Sequence, residues 1–561
     1  MTVRALSLLF LVSALPAQTA LNFEPQGALA TFELDGPARW RTRFAGTKLG
    51  DLLASKRFAE LWAPVTAKID DLIAKAQKES QVDQRATYDA VLAYGGRVRV
   101  VLFVRPPANA DAEPSFHGYV AAGPDGTSDL PAAAKFVHDQ ILSEGKPFEA
   151  LNIGGAEWLA AGIGGDSFTT VPQMVGDHLT MLFGLRSDLA ALEGLFADGA
   201  APAPMSADGP AVEAHCDGKQ LLQLLASVED DSEQVMALMA GMGANDIGDV
   251  TFRAAPLERF TELTFEIQTG RRTGFMEVLF PTRDKPPALL ALVPRAHPSY
   301  YVVPVGSQQL VAAIEQVLSA MPDAPGTFAD VEADVVDAIG VRLGDDLLAH
   351  VGDEAIWLTA VDADLDPDTD MVSLVAKIFD GYCLGVALRD GAAFGRTVEK
   401  MLEAGDLLRM RKTEKYRDVD VHRLSVPAMR AKIHWTITDD LAVVAFGERG
   451  LANLQGLLDG AAARARGEAL GAFAKSYTER LAVLPPGHCS VSFETLTDML
   501  DLWTTFLVIG AKNAARPPEF DVEMVTRALA DVRDLLRVHD LAHTLTVTYQ
   551  GADSVVQRTI W

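Results

Sequence analysis

The chain has 561 residues, more than one compact core usually holds, so two or more domains are expected. Apolar residues make up 49% and charged residues 22%, an ordinary globular balance. A net charge of −27 and a pI near 4.8 give a surface that repels phosphate backbones and anionic lipid, so no nucleic-acid partner is expected.

In chain order, Arg4 supplies a weak positive start, residues 5–15 an apolar core and residues 16–20 a small-residue exit. This reads as a secretory signal peptide over residues 1–20, with cleavage after Ala17, Gln18 or Ala20. The alternative is a buried first helix. No cysteine near the exit offers a lipid attachment point. No later stretch reaches the roughly 18 uninterrupted apolar residues of a membrane span, so no integral membrane segment is expected in the mature chain. The expected location is periplasmic or secreted. The low cysteine count favours a bacterial periplasm.

Residues 21–280 read as a first module. A strand over 27–34 is followed by helices over 40–44 and 49–73, the latter with apolar residues at helical spacing. A helix over 88–94 ends at Gly95-Gly96, and strands follow over 97–104 and 116–122. A helix capped by Asp129 spans 129–142. Residues 148–163 form one or two strands around Gly154-Gly155, and 164–173 a turn region. A strand at 178–183, a helix at 188–196 capped by Ser187 or Asp188, a strand at 212–216 and a helix from 219 come next. Strands at 250–254 and 263–268 lead to 273–280, which closes the module. Residues 281–296 form the linker.

The second module, 297–561, reads strand (300–304), helices (308–318 and 328–339), then the stretch LGDDLLAHVGDEAIWLTA over 343–360, a helical turn running into a strand. Residues 371–379 are strand or short helix. Further strands are expected at 381–388, 415–424, 432–437, 441–446, 489–493, 544–549 and 555–561. Helices are expected at 394–404, 451–458, 461–474, 496–507 and 522–538.

Five stretches of the first module recur in order in the second. Residues 91–104 match 347–360, an offset of 256. Residues 118–120 match 381–383, and 177–196 match 439–458. His215-Cys216 with its helix resembles His488-Cys489 with its helix, and Gly270 stands against Gly551. Five matches in order point to an internal duplication. One-sided helices beside half-buried strands predict an α+β fold: two similar modules, each a mostly antiparallel sheet with helices packed on it.

Chemistry-bearing patterns are few. Asp362, Asp364, Asp366, Asp368 and Asp370 alternate in one loop, but Pro367 and Ser373 stand where a calcium loop needs glycine and glutamate. A solvated acidic turn is the reading preferred over a weak cation site. His539 and His543 have i,i+4 spacing, but Asp540 replaces the glutamate of a zinc-hydrolase motif, so a surface turn is expected. Gly154-Gly155 and Gly162 to Gly165 lack the nucleotide-binding spacings. Asp353 and Glu354, adjacent on a strand, point to opposite faces. Cys216, Cys383 and Cys489 make no metal knuckle or redox pair, and Cys383 reads as a buried thiol. Trp40, Trp62, Trp158, Trp357, Trp435, Trp503 and Trp561 are mostly expected as core anchors. No residue is assigned a catalytic, cofactor-binding or metal-binding role.

With its signal peptide, its strand–helix units and the turn Leu343-Gly344-Asp345-Asp346 before a strand, the chain resembles a broad class of uncharacterised exported bacterial proteins. The resemblance implies no catalytic residue. The expected function is surface or groove binding without catalysis, with a protein partner or self-association. The alternatives are a binder of a small apolar or lipid-like ligand, and a hydrolase whose site is assembled from distant residues.

Overall fold

The computed structural model describes residues 27–79, 83–105, 114–126, 130, 131, 134, 148–164, 166–195, 209–228, 232–283, 285–321, 327–360, 371–426, 431–468, 472–513 and 522–561. The architecture is mixed α+β, with helices joining strands that pair antiparallel throughout. The chain divides into two compact units, residues 1–235 with 248–265 and residues 236–247 with 266–561.

The strands of the first unit are β1 (Ala30–Asp35), β2 (Arg97–Arg105), β3 (Ser115–Ala122), β4 (Glu149–Ile153), β5 (Ala156–Gly164), β6 (Ser167–Thr170), β7 (Gln173–Val175), β8 (His178–Leu185), β9 (Val212–Asp217) and β10 (Ile247–Leu257). β11 (Phe260–Thr269) follows β10 after a two-residue turn. The strand order is β10–β9–β1–β2–β3–β8–β6–β5–β4, with β7 also pairing β8. Alternation along the strands builds two cores. One holds Val101, Phe103, Tyr119, Trp158 and Leu182, the other Val120, Ala122, Leu179 and Met181. Helices Pro37–Phe44, Lys48–Ala54, Lys56–Glu79 and Gln84–Ala93 lie between β1 and β2. Proline opens the first, and the Thr47 hydroxyl caps the second by accepting from the Gly50 N–H.

The second unit contains β12 (Ser299–Pro304), β13 (Val351–Thr359), β14 (Cys383–Leu388), β15 (Lys412–Tyr416), β16 (Val419–Val426), β17 (Ala431–Ile437), β18 (Leu441–Phe446), β19 (Ser490–Thr495), β20 (His543–Gln550) and β21 (Ser554–Ile560). Its order is β21–β20–β19–β12–β13–β14–β18–β17–β16–β15. The inner face packs Tyr300 against Tyr477 and Phe493, at centroid distances of 6.1 and 5.8 Å. Around them Val302, Ile356, Val491, Leu545 and Val547 are almost wholly buried. The turn at 343–350 is pinned by its neighbours: the Gly344 N–H donates to Glu332 at 2.7 Å, and the Arg342 N–H to Asp346 at 3.0 Å.

The two sheets share one connectivity. The first strand of each (β1, β12) is central, the second and third line up on one side, and a hairpin excursion returns beside the third. A later strand (β9, β19) then pairs the first from its other side. The offset of 256, which sets residues 97–103 against 353–359, nevertheless pairs opposite faces. It sets buried Val101 against exposed Trp357 and half-buried Val100 against buried Ile356. One residue further, buried aligns with buried along the strand; a one-residue slip inverts every side chain of a strand. Cys216 and Cys489 are likewise not equivalent. Cys216 is the penultimate residue of β9, whereas Cys489 precedes β19.

Several local expectations change. Residues 164–173 contain β6, and residues 415–424 span a hairpin, β15 and β16, turning at Arg417 and Asp418 with φ of 47° and 66°. Residues 273–280, expected to close the first module, hold the helix Gly274–Leu279. Residues 371–379 are helical, and 451–465 belong to one helix, Gly447–Ala465. Gly96 does more than end a helix. A Cβ there would lie 2.3 Å from the Tyr94 hydroxyl, which donates to the Gly123 and Arg97 carbonyls at 2.7 and 2.9 Å. The expected signal peptide, the Asp129 cap and the loop Asp362 to Asp370 lie outside the described residues.

Candidate functional site

In the second unit, strand alternation that sends Val302, Val491, Phe493, Leu545 and Val547 inward puts their neighbours on the opposite face. There β12 contributes Tyr301 and Val303, β19 contributes Ser490, Ser492 and Glu494, and β20 contributes Thr546, Thr548 and Gln550. With Gln557 of β21 and with Leu279 and Phe280, these residues line a groove of about 200 Å³. The strand register sets hydroxyls side by side. Tyr301 lies opposite Ser492, Ser492 opposite Thr546, and Thr546 opposite Thr559.

The wall is hydrogen-bonded but not saturated. Ser492 donates to Glu494 at 2.8 Å, and the Thr546 and Thr559 hydroxyls are 2.9 Å apart. Burial raises the Tyr301 phenol well above its ordinary value, and its hydrogen bond to Glu494 adds to the shift. The phenol therefore stays protonated and donates. Gln550 keeps 7% of its surface, and its buried Oε1 accepts no hydrogen bond among the described residues. Leaving such an acceptor unpaired costs about 1–3 kcal/mol. Glu494 is the charged member of this lining.

An aromatic row leads away from the groove. Tyr301 and Trp357 are 6.3 Å apart between ring centroids, Trp357 and Tyr382 5.7 Å, Tyr382 and Phe379 5.3 Å, and Phe379 and Phe446 6.1 Å. These are ordinary aromatic-pair distances. Trp357 and Phe379 are 42% and 45% exposed, so part of the row reaches solvent.

The first unit concentrates charge instead. Arg253 pairs with Glu213 at 2.7 Å, Glu33 with Arg99, and Asp35 with Arg43 at 2.9 Å and Arg39 at 3.3 Å. The Arg97 guanidinium donates to the Pro210 carbonyl at 2.9 Å. Glu33, Arg99, Glu213 and Arg253 neutralise one another on a sheet face, and Arg39 and Arg43 reach Asp35 from the helix Pro37–Phe44.

The patterns singled out in the sequence are not brought together. His539 lies in a turn and His543 opens β20, stacked on Phe493 at 5.2 Å, so the two share no helical face. Asp353 and Glu354 do point oppositely: Asp353 pairs with Arg389 at 2.5 Å and Glu354 with Arg283 at 2.9 Å. Gly154 and Gly155 form the β4–β5 turn, both with positive φ. Cys383 is fully buried, and burial pushes its thiol up to about 12. The tryptophans correct the expectation of core anchors. Trp158 is fully buried, but Trp62, Trp357 and Trp503 are 47%, 42% and 64% exposed. Among the described residues no three His, Cys, Asp or Glu side chains converge as a metal-ligand set, and no helix is long and apolar enough to cross a membrane. The groove residues went unremarked in the sequence, although Ser490, Ser492 and Glu494, and Thr544, Thr546, Thr548 and Gln550, alternate with apolar residues at the period of a strand.

No family model matches the chain, and no curated protein does. A solved structure, crystal form III of TP0453, aligns over 47% of this chain and 79% of its own, at 11% identity and a TM-score of 0.21. A likeness of that size carries no argument.

Proposed function

We propose that this chain is an exported, non-catalytic protein that acts by binding through a groove on its second unit. The observation that carries this reading is the unpaired Gln550 acceptor in a groove whose polar wall is built mainly of hydroxyls. A buried polar group without a partner is what a ligand would complete. The two units descend, in this reading, from duplication of one module, which the common strand connectivity supports. The N-terminal residues direct export, as the resemblance to exported bacterial proteins implies.

Native mass spectrometry of the full protein isolated from its own compartment, before and after denaturation, tests this. A small mass lost on denaturation, and absent from a Gln550→Leu variant, is the expected result. A co-purifying protein or stable oligomer unaffected by that variant moves the activity to another surface. A second reading, an apolar or lipid-like ligand, is favoured by Leu279 and Val303 in the groove lining, 59% and 37% exposed. A lipid mass released on denaturation would select it.

A further inference from the structure

Resting on the groove reading, we infer that the ligand is a neutral saccharide, with one sugar ring in the groove and further rings along Trp357 and Tyr382. Three observations converge on that chemistry. The wall offers hydroxyl and amide groups, each able to donate and accept, which match a ligand whose own hydroxyls do both. Gln550, 7% exposed and with its Oε1 unpaired among the described residues, leaves an amide in the wall that a sugar hydroxyl, able to donate and to accept, would complete. The aromatic row begins at Tyr301, itself part of the wall, so polar and stacking surfaces are continuous.

Charge and size narrow the class. Glu494, fixed by Ser492 and Tyr301, accepts hydrogen bonds and repels anions, which removes acidic glycans and phosphorylated ligands. A volume of about 200 Å³ lies below the roughly 300–1,000 Å³ of sites for drug-sized ligands and suits one ring. The part-exposed Trp357 and Tyr382 beyond it extend the site to a short chain, since the apolar face of a sugar ring packs on an aromatic ring while its edge hydroxyls reach polar groups.

The test uses the full-length protein, titrated with cellohexaose, maltohexaose, xylohexaose and chitohexaose and followed by tryptophan fluorescence and calorimetry. Saturable binding of at least one hexasaccharide is expected. Trp357→Ala and Gln550→Leu should each weaken it by about tenfold, the scale of one lost aromatic or hydrogen-bonding contact. Thr548→Val is a second groove variant, and far-ultraviolet circular dichroism checks that each variant is folded. No saturation by any of the four at millimolar concentration overturns the saccharide assignment. Binding of spermidine, lost in Gln550→Leu, also overturns it while leaving the groove reading intact. A native ligand retained undiminished by Gln550→Leu, Thr548→Val and Trp357→Ala overturns both.

Discussion

Two rows of side chains, built alike in the two sheets, are chemically opposite. Two residues before the end of β1, Glu33 lies between Arg99 on β2 and Glu213 on β9, and Glu213 faces Arg253 on β10. Two residues before the end of β12, Val302 lies between Ile356 on β13 and Val491 on β19, and Val491 faces Val547 on β20. The same backbone arrangement thus holds a ladder of ions in one unit and a ladder of aliphatic groups in the other. Backbone hydrogen bonds and alternation fix the architecture, and either chemistry satisfies the row provided every member has a matching neighbour. The second unit, freed of charge on its inner row, places its polar groups on the opposite face, where the groove lies.

Removing one ion from the first unit's row should disturb it most. Glu33→Ala removes the carboxylate that pairs with the buried Arg99 and, at 3.5 Å, with Arg97, and should cost about 3–5 kcal/mol, read from urea unfolding of the first unit. Replacing the whole row by its aliphatic counterpart (Glu33→Val, Arg99→Ile, Glu213→Val and Arg253→Val together) should instead be neutral or stabilising, by up to about 4 kcal/mol. A quadruple variant less stable than Glu33→Ala would show that the two rows are not interchangeable.

In the aliphatic row, Ile356→Val removes one methylene from a site 1% exposed and should cost about 0.5–1.5 kcal/mol, measured in the same way on the second unit. Acid should separate the units further. Burial lowers the imidazoles of His117 and His178 in the first unit, and of His297, His422, His434, His488 and His543 in the second. A lowered imidazole stabilises the fold fully above its unfolded value of about 6.5 and loses that contribution as pH falls through the folded value. The second unit's unfolding midpoint should therefore drop more than the first's between pH 7.5 and pH 5. Equal shifts would discount the histidines as the cause. Trp357→Ala removes a ring that lies between Tyr301 and Tyr382 and should cost about 0.5–1.5 kcal/mol for a residue 42% exposed. A larger loss in thermal unfolding would make Trp357 a structural residue.

Much of the fold was legible because periodicity reports which side of an element is covered. The helices Phe328–Ile339 and Val522–Val538 and the strand Leu441–Phe446 fall where the pattern places them. Turns without glycine were not legible. Arg417 and Asp418 carry positive φ with ordinary side chains, so β15 and β16 looked continuous. The short helix Gly274–Leu279 was hidden because six apolar-rich residues fit a strand equally well. The tryptophans misled because size does not by itself secure a cover: Trp357 stands on a strand and Trp62 and Trp503 on helices, and each keeps a large exposed share. The groove was half visible: alternating hydroxyls in β19 and β20 mark one face of each strand, without saying that the two strands are neighbours.

Local spacing and composition alone were enough for most of the longer elements, the α+β class and the acidic net charge. Only the tertiary structure decided the phase of each strand, which face of each sheet is covered, and the meeting of β12, β19, β20 and β21 around Gln550. The physical reason is that a strand's two faces are interchangeable in its own sequence. Long-range pairing chooses between them, and with that choice selects which polar side chains become a site.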